Sequence, residues 1–260
     1  MTSYESLNVS LDDGIGRIEL NRPEKRNALN RLVVEELRRS LGELNESEEL
    51  RAIVLSGAGP AFCAGADLAY LEELSRFGLQ ENMEDSAALA AMFRSIWESP
   101  APVIARVHGP AIAGGCGLAA VCDISIAVRE ARFGFTEVGI GFIPAVVSAF
   151  VLRKGMQSRT RELLLNGKVI DAEEAWRRGL ITSVVADEKE LDEVVDDQLR
   201  RFRTVDREAV RLTKQMLTAM DGMTLDSSLD YAARLNAAAR QLPGCREGIR
   251  RFLDSRRDDR

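Results

Sequence analysis

Two short strands of continuous apolar residues, each followed by a turn of glycine and alanine and then by a helix, set the narrowest limit on the fold. The first strand is AIVLSG, residues 52–57, and its turn is AGPAFCAGADL. The second is VIARVHG, residues 103–109, and its turn is GPAIAGGCGL. A third apolar strand, DISIAV, covers residues 123–128. A strand exposed to water on one face alternates apolar and polar residues; these three do not. They therefore belong inside a sheet covered by helices on both faces, which predicts parallel strands and an α/β fold.

The remaining elements fit this frame. Residues 4–23 read as a hairpin with its turn at Asp12-Asp13-Gly14 and a second strand at residues 15–20. Asn27 is expected to open a helix carrying Leu29, Leu32, Val33, Leu37, Leu41 and Leu44 at helical spacing. Asp67 is placed to cap the helix after the first turn, and residues 83–99 read as another helix. Beyond about Ala149 the strand signal fades. From about Asp187 the chain reads as consecutive helices, including residues 210–220 and 225–241, and the charged end at 254–260 reads as frayed. This predicts a core over residues 1–195 and a helical oligomerisation region over 196–260.

The 260 residues are 45% hydrophobic, enough for a sizeable core in one domain or one domain with an appendage. The net charge of -6 argues against nucleic acid as the main partner. The longest apolar stretches, such as residues 143–152, are too short to span a bilayer. The first residues show no basic segment followed by an apolar run, so a cytoplasmic location is expected. There is one histidine, His108, and none of the four cysteines has CxxC spacing, so no metal site is expected. The cysteines read as small buried side chains, and Cys63 and Cys116 are expected to shape a pocket. His108 reads as structural, Trp97 and Trp176 as core or interface anchors, and Glu81, Glu84 and Asp85 as a solvated helix face.

Ligands of such sheets sit beyond the carboxyl ends of the strands. Small residues there expose backbone N–H groups, and a helix start points several of them outward. Two such turns side by side can aim two N–H donors at one oxygen, which contributes on the order of 3–4 kcal/mol per donor in an oxyanion hole. The same glycines also serve tight packing of helix on strand. A third segment, ARFGFTEVGIGFIPA (residues 131–145), sets one carboxylate, Glu137, in an apolar run. Burial there would raise its pKa toward neutral pH, suited to proton transfer.

Together these segments resemble the enoyl-CoA hydratase/isomerase (crotonase) superfamily over nearly the whole chain. The resemblance includes NRPEKRNAL, SGAGPAFCAGADL, HGPAIAGGCGLAAVCDISIA, ARFGFTEVGIGFIP and LLLNGKVIDAEEAWRRGLITSVV. It implies a spiral of ββα turns with a C-terminal helical part that builds trimers or hexamers. It also implies an acyl-CoA thioester substrate, with coenzyme A as part of that substrate and no separate cofactor. On this resemblance Ala64 and Gly114 supply the oxyanion N–H groups, and Glu137 is the acid–base residue. Lys25, Arg26 and Ala28 lie near the CoA moiety, Ala66, Asp67 and Leu68 line its adenine end, and Phe252 and Arg256 contribute from the C-terminus. The wording FGFTEV resembles methylglutaconyl-CoA hydratases in particular.

Two departures stand out. Family hydratases carry a second glutamate where this chain has Gly117, which is expected to leave room beside the acyl group. After Pro144, AVVSAF replaces a glycine-rich stretch. One carboxylate suffices for hydration if it deprotonates the water and then returns the proton to the α-carbon on the same face. It suffices equally for Δ3–Δ2 isomerisation. A non-catalytic, RNA- or ligand-binding role is the alternative of another class.

Overall fold

The computed structural model describes residues 3–258. Its first hairpin pairs β1 (Leu7–Asp12) with β2 (Ile15–Leu20) antiparallel, with Leu7 opposite Leu20. Asp13 and Gly14 both take positive φ, as a two-residue turn matched to strand twist requires. A 3₁₀ turn at Pro23–Lys25 leads to α1 (Arg31–Asn45), whose first turn is capped by the Asn30 side chain at 3.0 Å from the Val33 N–H. Asn27 does not open this helix. It sits buried at φ 57°, its amide donates to the carbonyls of Ala58 and Ala61 (2.8 Å each), and its side-chain oxygen accepts the Arg22 N–H at 2.9 Å. The asparagine is a clamp between two loops.

The chain continues through β3 (Ala52–Gly57), α2 (Leu68–Leu74), α3 (Leu79–Trp97), β4 (Val103–Val107) and β5 (Ala111–Ile112). Next come α4 (Gly114–Val121), β6 (Ile124–Val128), β7 (Arg132–Gly134) and a 3₁₀ turn at Thr136–Ile140. α5 (Ala145–Lys154), α6 (Gln157–Asn166), β8 (Ile170–Asp171), α7 (Ala172–Arg177) and β9 (Ser183–Val185) follow. The chain closes with α8 (Glu188–Thr204), α9 (Arg207–Met220), α10 (Leu225–Ala239) and α11 (Pro243–Asp258). No helix among the described residues is long and apolar enough to cross a membrane.

The main sheet has the order β1-β2-β3-β4-β6-β9, parallel from β2 onward. The three apolar strands read from the sequence become its parallel interior. A smaller sheet of order β5-β7-β8 stands beside it. Strands β8 and β9 lie where the strand signal fades, because they are only two and three residues long and carry no period of their own. β9 is a strand because Ser183–Val185 completes the edge beside Ile126–Val128.

The expected boundary at 195/196 falls inside the continuous helix α8, whose Leu191, Val195 and Leu199 are buried against the sheet. α8 ends before Val205, in extended backbone, and α9 begins at Arg207. The charged end is helical as far as Asp258, and the rest of the segment expected to fray lies outside the described residues.

Helix α9 is fastened to the sheet layer by Lys214. Its ammonium donates to Asp123 Oδ2 (2.6 Å) and to the carbonyls of Ala101 (3.0 Å) and Ile96 (3.3 Å), and Asp123 Oδ2 also accepts the Val103 N–H at 2.7 Å. One buried cation thereby joins α3, β4, β6 and α9. Lys214→Met removes it and strands a partly buried carboxylate, so the unfolding free energy should fall by about 2 kcal/mol. In contrast, Arg234→Ala, at an exposed pair with Asp230, should change it by less than about 0.5 kcal/mol. Urea denaturation of both variants checks the contrast.

Candidate active site

The turns after β3 and β4 are bonded to one another. Cys63 donates its N–H to the Pro110 carbonyl (3.1 Å), and its carbonyl accepts the Ile112 N–H (2.9 Å). The approach is so close that a Cβ on Gly115 would overlap the Cys63 carbonyl oxygen, and one on Gly65 (φ 92°) would stand 2.9 Å from Ala113 Cβ. Only glycine permits either contact. Ala113 takes positive φ and turns the chain into α4, so Gly114 opens that helix with its N–H free of an intrahelical partner.

The donor on the other turn differs from the expected one. Ala64 N–H is engaged with the Arg26 carbonyl at 3.0 Å. Leu29 pairs in parallel with Ala66 by bonding its neighbours: Leu29 N–H donates to the Gly65 carbonyl (2.6 Å) and its carbonyl accepts the Asp67 N–H (2.8 Å). Ala66, between them, therefore directs its N–H away from Leu29. Among the hydrogen bonds of the described residues, neither Ala66 N–H nor Gly114 N–H has an acceptor. The two turns thus leave the N–H groups of Ala66 and Gly114 without acceptors, whereas that of Ala64, expected as a donor, is engaged.

Both alanines, Gly114 and Glu137 line one cavity of about 510 Å³. Glu137 is the second residue of the 3₁₀ turn that follows β7. Its Oε2 is buried and has no hydrogen-bond partner, and this burial raises the carboxyl above its ordinary value, only partly offset by its own backbone N–H. A carboxyl with one buried, unpartnered oxygen and a raised pKa on a cavity wall has the chemistry of a group that exchanges protons.

Gly117 does not leave the expected space. It is buried inside α4 and off the cavity wall. A Cβ there would overlap Val147 Cγ1 and stand 3.1 Å from Phe93 Cε1. The two departures seen in the sequence are therefore one packing event: Val147 of the AVVSAF segment occupies the room beside Gly117.

A polar group that the sequence reading missed also lines the cavity. The Tyr70 hydroxyl donates to Asp85, and burial, then Asp85, push its pKa up to about 12 against the opposing Arg31 guanidinium. Asp85, expected on a solvated face, is part of this wall. No spacing relates residues 70 and 85; they meet because α2 and α3 fold over the same cavity. Of the other two acids on that face, Glu81 accepts the Gly78 N–H at 2.8 Å and Glu84 accepts from Gln80 at 2.8 Å.

The remaining candidates fall around the site or away from it. Leu68 is on the cavity wall and strongly exposed. Asp67 caps α2 through the Ala69 N–H (3.0 Å) and pairs with Arg22 (2.8 Å), which outweighs burial and holds its carboxyl below the usual range. Ala28 is buried, with its carbonyl accepting from Arg22 at 2.7 Å, whereas Lys25 and Arg26 are exposed in the preceding turn. Phe252 and Arg256 stack on one another on exposed α11, at 5.3 Å from guanidinium carbon to ring centre, off the cavity wall. His108 Nε2 bonds the Gly59 carbonyl at 2.8 Å. Cys63 and Cys116 are wholly buried behind the turns and off the wall, and burial pushes the Cys63 thiol up to about 12. Among the described residues no group of three or more His, Cys, Asp or Glu side chains converges as a metal site.

The sequence profile described as enoyl-CoA hydratase/isomerase matches residues 10–259. The chain belongs to the enoyl-CoA hydratase/isomerase family. It is 39% identical over 252 residues to a Thermus thermophilus protein provisionally named an enoyl-CoA hydratase, covering 95% of this chain and 98% of that one. It is 34% identical to the crotonyl-CoA hydratase of Syntrophomonas wolfei, covering 98% and 97%. Among solved structures, an enoyl-CoA hydratase of Mycobacterium smegmatis superposes with a TM-score of 0.92 at 32% identity, over 96% of this chain and 97% of that one. The crotonase fold anticipated from the motifs is the fold observed.

Glu137 yields a pH-dependent stability of predictable sign. Its folded pKa lies above the unfolded value, so the folded chain holds the proton longer and loses stability as pH rises through that window. Glu137→Gln removes this loss: its denaturation midpoint should exceed that of the wild type at about pH 8 and match it at about pH 3.5.

Proposed function

We propose that this chain adds water across the α,β double bond of an enoyl-CoA thioester, or removes it in the reverse direction. The observation that carries this reading is one cavity whose wall holds two backbone N–H groups without acceptors and one carboxyl, that of Glu137, with a buried oxygen lacking a partner. The N–H groups of Ala66 and Gly114 bind the thioester oxygen and strengthen their hold as it gains enolate charge. The Glu137 carboxylate takes a proton from water as the water oxygen bonds to the β-carbon. The same carboxyl then gives that proton to the α-carbon, so that H and OH are added on one face and Glu137 is regenerated.

Coenzyme A is part of the substrate, and no further cofactor enters this scheme. The exposed turn at Lys25 and Arg26, one bond away from Ala64 through the Arg26 carbonyl, suits the CoA phosphates, with Ala28, Asp67 and Leu68 supporting the cavity entrance. Phe252 and Arg256 are off this cavity, so a contribution from them would come from a neighbouring subunit. Exposed Leu225, Leu229, Ile249 and Leu253 on α10 and α11 support a trimer or a hexamer. A cytoplasmic location and a branched, methylglutaconyl-type acyl group complete the reading.

The filled space at Gly117 favours a second reading, Δ3–Δ2 isomerisation, because a site with one carboxylate moves a single proton between the α- and γ-carbons. Parallel assays with crotonyl-CoA, 3-methylglutaconyl-CoA and a 3-enoyl-CoA separate the two. The expected outcome is turnover of a 2-enoyl-CoA to the 3-hydroxy product. Glu137→Gln should lower kcat by about 10³-fold or more with KM changed less than about threefold. A glutamine variant with near-normal kcat removes Glu137 from the mechanism.

A further inference from the structure

The contact between Gly117 and Val147 lies one helical turn from the proposed oxyanion donor. At 1.5 Å per residue, Gly117 stands about 4.5 Å along α4 from Gly114. Carbons α and β to a thioester carbonyl lie within about 4 Å of its oxygen, so an oxygen held at Gly114 leaves them inside the cavity that Gly114 and Val147 both line. A side chain projecting from position 117 would reach them. None does: Val147 is on the cavity wall, and it fills the space such a side chain would need.

Val147 sits on a helix, α5, that is joined to α3 by aromatic packing. It is 4% exposed. Phe93 of α3, which also abuts position 117, stacks on Phe150 of α5 at 5.8 Å between ring centres, and Phe150 meets Trp97 at the same separation. A β-branched residue on a helix has one strongly preferred rotamer, so Val147 cannot swing aside cheaply. The side chains of Val146 and Val147 offer water no polar partner, and a methyl surface does not retain one.

We propose that Val147, seated in the space left by Gly117, is the positioning residue that closes the α4 side of the reacting carbons to water. Protons then reach the acyl group from Glu137 alone. Gly117 is the condition for this arrangement, since any larger residue displaces Val147. The inference rests on the hydratase reading.

The test follows hydration of crotonyl-CoA in deuterium oxide, with the configuration at C2 read by NMR. Wild type should give one C2 diastereomer. Val147→Ala and Val147→Gly should admit solvent and give at least about a tenth of the other diastereomer. A single diastereomer from both variants overturns the proposal. A thermal-melting cycle addresses the pairing: Gly117→Ala should melt lower than wild type, and adding Val147→Gly should recover more than half of that loss. Strictly additive losses overturn the pairing. A wild type that turns over no enoyl-CoA overturns the hydratase reading and the positioning role with it, whereas the melting cycle still reports on the packing pair.

Discussion

The site depends on the close approach of the turns that follow β3 and β4. Cys63 pairs with Ala111, and Gly115 and Gly65 lie where any side chain would collide with the facing backbone. That approach brings together Ala66, at the end of one turn, and Gly114, at the start of α4. Backbone donors fixed in this way need no reorganisation to meet a developing negative charge, and the surrounding low dielectric strengthens them. The rest of the fold serves this contact. The parallel strands deliver both turns at the same edge of the sheet, and the Asn27 clamp ties the preceding loop to Ala58 and Ala61.

Burial shapes the chemistry as much as position does. Glu137 has a buried carboxyl oxygen without a hydrogen-bond partner, and desolvation raises its pKa. Asp85 is also on the wall, yet Tyr70 and the nearby Arg31 engage it. Asp67 is bonded to Arg22 and to its own helix. The same side-chain type thus stands as a carboxyl with a raised pKa, a wall support and a cap according to its surroundings.

The packing of Val147 against Gly117 shows how one helix sets what another can carry. α4 presents no side chain to the cavity at position 117, and α5 fills the vacancy with an apolar one. The valine thus places an apolar surface on the wall that also carries Glu137. The outer helices contribute by anchoring this body: Lys214 joins α9 to the starts of β4 and β6 and to the end of α3.

The sequence by itself determined the parallel interior of the sheet, the two glycine–alanine turns, Glu137 as the isolated carboxylate, and the family. Each is legible because it rests on local composition: apolar runs without alternation, clustered small residues, one acid in an apolar segment. Four features were decided only by the tertiary structure. Ala66 rather than Ala64 holds the unengaged N–H, because the Leu29 pairing and the Arg26 carbonyl set which way each peptide points. Gly117 is filled rather than open, because Val147 reaches it from thirty residues away. Asp85 joins the wall because Tyr70 meets it across two helices, and β9 is a strand because β6 offers an edge. The direction of a peptide N–H, the filling of a void and the edge of a sheet are properties of neighbours in space, which residue order alone does not contain.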